Sequence, residues 1–164
     1  MKIALIGYGK MGKTIEKLAQ DRGHEIGAII DPIKDGGLTR EKMKGIDVAI
    51  EFSRPEAAVS NIKNCIAWGI PIVSGTTGWL DKMPEVQTEL DHHPDSAFFY
   101  ASNYSLGVNV FFELNKRLAQ MMNPMKEYDV IMEEIHHTQK LDAPSGTGIT
   151  LAKGVIDNLD RKSS

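Results

Sequence analysis

Hydrophobic positions in the first two thirds of the chain form short apolar runs, separated by segments in which apolar residues recur every three or four positions. The runs predict buried strands and the longer period predicts helices. The strands are placed at residues 2–6, 25–30, 47–52, 71–74 and 97–101, and the helices at residues 11–21, 55–68 and 80–92. Strands that alternate with helices are typical of a parallel sheet covered on both faces. We therefore predict an α/β fold with a Rossmann-type doubly wound parallel sheet.

The pattern changes after residue 103, where a long amphipathic helix is predicted at residues 106–122 and a final helix at 146–159. The apolar stripe of the long helix and the methionines near its end are expected to face a core, with the methionines filling gaps. These residues are Val110, Leu114, Leu118, Met121, Met122 and Met125. We divide the chain into a dinucleotide-binding domain at 1–104 and a partial α+β substrate-binding domain at 105–164.

Residues 128–135 alternate between apolar and polar side chains, which predicts a strand. The second part of the chain offers this strand no partner, and a lone strand leaves its backbone groups unsatisfied. Either it joins an edge of the first sheet, or it pairs with another chain, or further strands are absent from this sequence.

Composition and charge narrow the class of protein. The 164 residues are 41% hydrophobic and 25% charged, as in an ordinary globular protein, and the net charge of −3 comes from interspersed signs. No basic stripe suggests a nucleic-acid partner, and no apolar run approaches the length of a membrane span. The first apolar run is too short for a signal peptide. Cys65 is the single cysteine and follows a helical apolar pattern, so we expect it to be buried. A cytoplasmic location is favoured.

A glycine-rich turn lies between the first predicted strand and the first predicted helix. Gly7, Tyr8, Gly9, Lys10, Met11 and Gly12 match the pattern G-x-G-x-x-G. Such glycines allow a tight turn and close approach to a pyrophosphate at the start of a helix. Asp31 ends the second strand, where a carboxylate would bind the adenosine ribose and favour NADH over NADPH, although Lys34 weakens that preference. The alternative is a plain turn and a surface aspartate.

Three further segments follow strands of the predicted sheet. Carboxyl ends of parallel strands line the ligand crevice in this architecture, so these residues are candidate cofactor contacts. A plain turn or an exposed arginine at a helix start explains them about equally well. They are Phe52 and Arg54 after the third strand, Gly75, Thr76 and Thr77 after the fourth, and Ala101, Ser102, Asn103 and Tyr104 after the fifth.

Residues 134–147 bring together proton donors and anion-binding groups. His136, His137 and Lys140 lie within five residues, and Pro144 then fits the first turn of a helix. That helix start would expose the backbone N–H groups of Ser145, Gly146 and Thr147 to an anion. The run suits a carboxylate substrate that is protonated as it reacts. A solvated loop or a structural histidine pair is the alternative, and no residue spacing is convincing for a metal.

Taken together and in this order, these motifs resemble the dihydrodipicolinate reductase family. The segments that carry the resemblance are GYGKMG at 7–12, FSRPE at 52–56, GTTG at 75–78, ASNYSLGVN at 101–109 and EIHHTQKLDAPSGT at 134–147. The resemblance implies hydride transfer from NADH or NADPH to a small cyclic unsaturated dicarboxylate, and a homotetramer. It also implies a substrate domain with more strands than this chain has, so that this chain would be a truncated form.

Roles follow from the resemblance position by position. His136 matches the family's acid/base histidine and Lys140 its proton-donating lysine, while His137, Gly146 and Thr147 match residues that hold the substrate carboxylates. The family's cofactor contacts are matched by the glycine turn, by Asp31, and by the loops at residues 75–77 and 101–104. Two alternatives stay open: another small two-domain dehydrogenase of an amino or keto acid, and a non-catalytic dinucleotide-binding module.

Overall fold

Five short strands of the first hundred residues pair in parallel, in the order β2-β1-β3-β4-β5. The computed structural model describes residues 1–31, 36–136, 138 and 143–160. The chain divides into two units, Met1–Ala101 and Ser102–Ser164. The first unit contains β1 (Lys2–Ile6), α1 (Lys10–Asp21), β2 (Glu25–Ile30), β3 (Val48–Glu51), α2 (Pro55–Ala67), β4 (Ile72–Ser74), a 3₁₀ turn (Leu80–Lys82), α3 (Met83–His92) and β5 (Phe98–Tyr100). The predicted α/β fold with a parallel sheet is confirmed.

Helices pack on both faces of the sheet because successive strand residues point in opposite directions. Ala4 and Ile6 of β1 face the larger core, which α2 and α3 cover with Ile62, Ile66 and Val86. The other β1 residues, Ile3 and Leu5, face a smaller core that α1 covers through Ala19 and Ile15. Both faces of β1 are therefore apolar, which explains why its sequence reads as a continuous run.

The helix predicted at residues 80–92 is two elements in the structure. A 3₁₀ turn at Leu80–Lys82 leads into α3, which begins at Met83 and carries Pro84 in its first turn. Proline has no N–H to donate, and a first-turn N–H lacks a helical acceptor in any case. The proline therefore marks the start of α3 rather than an interruption within a longer helix.

The second unit contains two helices among its described residues, α4 (Leu106–Met122) and α5 (Gly146–Ile156). They pack through Phe112 and Ala119 of α4, which are buried, and through Gly154, where an added Cβ would lie 3.0 Å from Asn115 Nδ2. Asn115 Nδ2 donates to the Leu151 carbonyl (2.9 Å), and Gln120 Nε2, further along α4, donates to Asn158 Oδ1 (2.7 Å). The contacts advance along both helices together, so α4 and α5 run in the same direction.

The prediction that the apolar stripe of α4 faces a core is wrong for the described residues. Val110, Leu114, Leu118 and Met121 are 59%, 59%, 55% and 70% exposed, and Met125 after the helix is also exposed. The contact with α5 uses a different face of α4, which contains Phe112 and Ala119. Nothing in the described part of the second unit covers the stripe.

The strand predicted at residues 128–135 is also wrong: this segment forms no strand in the structure. Ile131 and Ile135 are 87% and 90% exposed. Strand structure depends on backbone partners, and the described residues provide none for this segment. None of the described helices has the length and apolarity needed to cross a membrane.

Burial of Cys65 leads to a prediction about its reactivity. The side chain is fully buried in α2, and burial, with a smaller effect of the Glu51 charge, raises the pKa of the thiol to about 12. Because the thiolate is the reactive form, we expect no labelling of the folded protein by Ellman's reagent at pH 8 and complete labelling in guanidinium chloride. Lys17→Cys, at an exposed position of α1, provides a control that reacts at once. Rapid labelling of native Cys65 would contradict the buried position.

Candidate dinucleotide and acid sites

Four loops of the first unit lie side by side at the carboxyl edge of the sheet. Beyond the strand ends, the N–H groups of Gly7, Phe52, Gly75 and Ala101 donate to carbonyls of neighbouring strands, at 2.9, 2.8, 2.9 and 3.3 Å. The acceptors are Ile30, Ile6, Glu51 and Ser74, in that order. The parallel ladder thus continues into the loops and fixes their backbones. The sheet reverses its strand order beside β1, which is where ligands bind in open α/β sheets.

The glycine turn after β1 is shaped by close backbone contacts. Gly7 has φ +92°, and a Cβ there would lie 2.1 Å from the Phe52 carbonyl oxygen, so only glycine fits. A Cβ on Gly12 would lie 2.4 Å from the Gly7 carbonyl oxygen, which means that α1 packs tightly against the turn. Gly9, the N-cap of α1, has open space where a Cβ would be. The turn therefore leaves room at the helix start, as a pyrophosphate requires.

The other predicted cofactor residues near the glycine turn and at the start of α2 differ from one another in burial and in hydrogen bonding. The Tyr8 hydroxyl donates to Glu16 of α1, and this hydrogen bond to the carboxylate is the main reason that the pKa of Tyr8 is raised. Lys10 and Met11 begin α1 and are exposed. Asp31 is half-buried directly after β2, the strand beside β1. Arg54 is exposed at the N-cap of α2.

The Gly75–Thr77 loop is held by side chains as well as by the ladder. The Phe52 ring fills the space beside Gly75, where a Cβ would lie 2.2 Å from the ring carbons. Thr76 is buried, and its hydroxyl donates to Glu51 (2.8 Å) while its carbonyl accepts from Trp79 Nε1 (2.6 Å). Because the Thr76 hydroxyl is engaged in this way, the half-buried Thr77 is the better candidate for direct contact with a ligand.

Residues after Ala101 belong to the second unit, where they help to start α4. Asn103 Oδ1 accepts from the Ser105 N–H (2.8 Å), and the Ser105 side chain caps Val108 N–H (3.4 Å). Asn109 Nδ2 donates to the Asn103 carbonyl (2.9 Å). Ser102 is half-buried and Tyr104 is exposed. The Asn103 side chain is thus hydrogen-bonded to the N-cap residue of α4.

A carboxylate that the sequence reasoning missed organises the acid site of the second unit. Glu134 accepts from the Ser145 N–H (3.0 Å), from the Ser145 hydroxyl and from His136 Nε2 (2.7 Å). Hydrogen bonds from the Ser145 hydroxyl, from His136 and from the Ser145 N–H hold the pKa of Glu134 at about 2. Gly148 makes this approach possible, because a Cβ there would lie 2.8 Å from Glu134 Oε1.

The start of α5 keeps part of its anion-binding capacity. Ser145 is buried at the N-cap and its hydroxyl accepts from Gly148 N–H (3.0 Å), so both its own N–H and its hydroxyl are engaged. Within the described ranges, the first-turn N–H groups of Gly146 and Thr147 have no acceptor. These two N–H groups are the candidates for binding an anion. His137 and Lys140, predicted for the substrate and the proton, lie outside the described residues.

Two acidic residues and a tryptophan were given no functional role from the sequence. Glu51 ends an otherwise apolar strand, Trp79 follows the Gly75–Thr77 loop, and Glu134 lies two residues before His136. A charged residue inside an apolar run is an available signal for Glu51, since a buried charge needs partners. Among the described residues, no group of three or more His, Cys, Asp or Glu side chains could hold a metal ion.

Comparison with known proteins assigns the family. A family model described as "Dihydrodipicolinate reductase, N-terminus" matches residues 1–104, and one described as "Dihydrodipicolinate reductase, C-terminus" matches residues 107–164. The chain belongs to the dihydrodipicolinate reductase family. The resemblance predicted from the sequence motifs is confirmed.

Relatives in this family are longer than the chain. It is 54% identical over 158 residues to the 4-hydroxy-tetrahydrodipicolinate reductase of Christiangramia forsetii, covering 96% of this chain and 64% of that protein. It is 35% identical over 164 residues to the enzyme of the same name from Staphylococcus haemolyticus, covering 96% and 65%. The chain thus spans about two thirds of the length of the curated relatives it matches.

A solved structure supports the fold. The dipicolinate-bound dihydrodipicolinate reductase from a Paenisporosarcina species has a TM-score of 0.75 at 22% identity, covering 100% of this chain and 69% of that one. An aspartate dehydrogenase from Thermotoga maritima has a TM-score of 0.53 at 18% identity, covering 70% and 51%. At these identities the likeness is one of fold.

The depressed pKa of Glu134 predicts a pH dependence of stability. Its ordinary value of about 4.5 applies in the unfolded chain and the value of about 2 in the folded one. The stabilisation by the carboxylate is therefore present above pH 4.5 and is lost as the pH falls toward 2. We expect Glu134→Gln to lower the urea midpoint of the second unit at pH 7 and to have little effect near pH 2.

The matched control for this measurement is Glu133→Gln. Glu133 is the exposed neighbour in the same segment, and changing it should leave the pH dependence as in the original protein. Equal pH profiles for the Glu134 variant and the unchanged protein would contradict the assigned hydrogen bonds.

Proposed function

We propose that this chain carries the nicotinamide-binding unit and the acid-bearing segment of a 4-hydroxy-tetrahydrodipicolinate reductase. The reaction is reduction of a cyclic unsaturated dicarboxylate with NADH or NADPH. The observation that carries the proposal is the glycine turn at the carboxyl edge of the sheet. Its glycines are required by contacts at Gly7 and Gly12, while Gly9 opens toward the start of α1.

Several features of the first unit support binding of the cofactor. The first-turn N–H groups of α1, beginning at Lys10, suit a pyrophosphate, and the Gly9 position is unobstructed. Asp31 suits the adenosine ribose, and its carboxylate disfavours a 2′-phosphate. Thr77 and the loop after β3 border the remaining part of the crevice. When bound, NADH or NADPH supplies the hydride.

Residues of the second unit supply the proton and hold the anion. His136 Nε2 is hydrogen-bonded to Glu134, which fixes the orientation of the imidazole and leaves Nδ1 as the nitrogen available for proton transfer. The N–H groups of Gly146 and Thr147 suit one substrate carboxylate. His137 and Lys140 are assigned to the second carboxylate and to proton donation from their motif positions alone. A homo-oligomer and a cytoplasmic location complete the proposal.

The decisive experiment is an assay of NADH oxidation with freshly prepared 4-hydroxy-tetrahydrodipicolinate, using the product of the complete reading frame that encodes this chain. The intact mass of the purified protein shows how much of the reading frame the assayed protein contains. Dipicolinate, the ligand named for the Paenisporosarcina protein, serves as a binding probe of the acid site. Turnover and inhibition by dipicolinate support the proposal. Binding of NADH without turnover would indicate that the protein is a non-catalytic dinucleotide-binding module instead.

Asp31 predicts a preference between the two cofactors. We expect the Kd of NADH to be lower than that of NADPH by about tenfold, because the carboxylate repels a 2′-phosphate. Asp31→Ser should remove most of this difference. Fluorescence titration of the reduced cofactors measures both constants, and a clear preference for NADPH would refute the role of Asp31.

His136 predicts a separation between chemistry and cofactor binding. His136→Gln should lower kcat by about 100-fold or more, the usual contribution of a positioned acid, with the Kd of NADH unchanged. His92→Gln changes an exposed histidine of α3 and is the matched control. Full turnover by the His136 variant would exclude it as the acid.

A further inference from the structure

Glu51 is a fully buried carboxylate that the reaction itself does not use. It is the last residue of β3, where its backbone pairs with Ile6 of β1 and Ser74 of β4. Buried carboxylates are rare unless hydrogen bonds satisfy their oxygens. The partners of Glu51 are therefore informative about why it is there.

Hydrogen bonds to Glu51 come from both loops that flank the carboxyl edge beside it. Oε1 accepts from the Ser53 N–H (2.9 Å), the Thr76 hydroxyl (2.8 Å) and the Ser53 hydroxyl. Oε2 accepts from the Ser74 hydroxyl (2.5 Å). One carboxylate thus joins the loop after β3 to the end of β4 and the loop that follows it.

The two loops are also joined to each other around this carboxylate. The Ser53 N–H is shared between Glu51 and the Thr76 hydroxyl (2.9 Å), and Asn61 of α2 donates to the Ser53 hydroxyl (3.3 Å). Trp79 fixes the far side of the second loop through the Thr76 carbonyl. Every polar side chain in this network is oriented toward Glu51 or a residue that binds it. The spacing of the loops therefore depends on the reach of this side chain.

We propose that Glu51 is a positioning residue for the cofactor: its carboxylate sets the distance between the loop containing Phe52 and Arg54 and the loop containing Thr77. This inference rests on the proposed function, because it assigns those loops to NADH. Glu51 itself does not touch the cofactor. It acts through Ser53 and Thr76, whose positions determine where the neighbouring residues Arg54 and Thr77 lie.

Two variants of Glu51 separate the effect of side-chain length from the effect of charge. Glu51→Asp keeps the charge but shortens the side chain by one methylene, so the carboxylate can no longer meet both loops. Glu51→Gln keeps the length and an acceptor oxygen but loses the charge. If Glu51 acts by reach, Glu51→Asp raises the Kd of NADH by about tenfold or more, since displacements near 1 Å are costly at binding sites, and Glu51→Gln raises it less.

The measurement is NADH titration of the 164-residue chain at a temperature where circular dichroism shows each variant to be folded. Glu85→Asp makes the same chemical change at an exposed position in the first turn of α3 and should leave the Kd unchanged. A larger loss in Glu51→Gln than in Glu51→Asp would overturn the proposal in favour of a charge effect. Unchanged Kd values in both, with only a lower Tm, would overturn it in favour of a structural role.

Ser53→Ala provides a second test that does not alter the buried strand. It removes one hydroxyl donor from the network at a half-buried loop position, and we expect the Kd of NADH to rise about threefold. If the Glu51 variants do not fold, an unchanged Kd in Ser53→Ala overturns the proposal. Failure of the unaltered chain to bind NADH would instead contradict the proposed function, so the two failures are distinguishable.

Discussion

The register of the parallel ladder is the constraint on which the candidate cofactor site depends. Strands β1, β3, β4 and β5 end at one edge, and backbone N–H groups just beyond them keep donating to the neighbouring strand. The loops are thereby held by main-chain hydrogen bonds before any side chain contributes. Gly7 can approach the Phe52 carbonyl only because this register brings them together and no Cβ intervenes. Side chains such as Glu51 then adjust the distance between loops that the ladder already holds close together.

Periodicity predicted the elements of the first unit because burial there follows chain-local rules. An apolar run such as Lys2–Ile6 is buried on both faces, and its strand character depends little on distant residues. Glu51 was missed for the opposite reason. Its importance lies in partners 23 and 25 residues away, Ser74 and Thr76, which no local period reveals. Motif spacing located the glycine turn, but the contacts that require Gly7 and Gly12 are made with the Phe52 carbonyl after β3 and with the Gly7 carbonyl.

The second unit shows where such reasoning stops. A helical period correctly predicted α4, and it correctly predicted that one face is apolar, yet a period says nothing about what lies against that face. The same holds for residues 128–135, whose alternation describes a side-chain arrangement and not a hydrogen-bonding partner. The acid motif predicted the start of α5. The hydrogen bonds of Glu134 to His136 and Ser145 are visible only in the three-dimensional structure.

The shared direction of α4 and α5 determines how far the connecting chain must travel. Helix α4 has 17 residues and therefore extends about 25 Å, and the chain must cover much of that distance again before α5 begins, because Leu151 of α5 lies beside Asn115 of α4. An extended segment of about eight residues spans such a length. Glu134, which bonds to Ser145, marks the point where the return is complete. Residues 123–133 exceed this length, so the hydrogen bonds of Glu134 to His136 and Ser145, and not the length of the path, hold His136 near the start of α5.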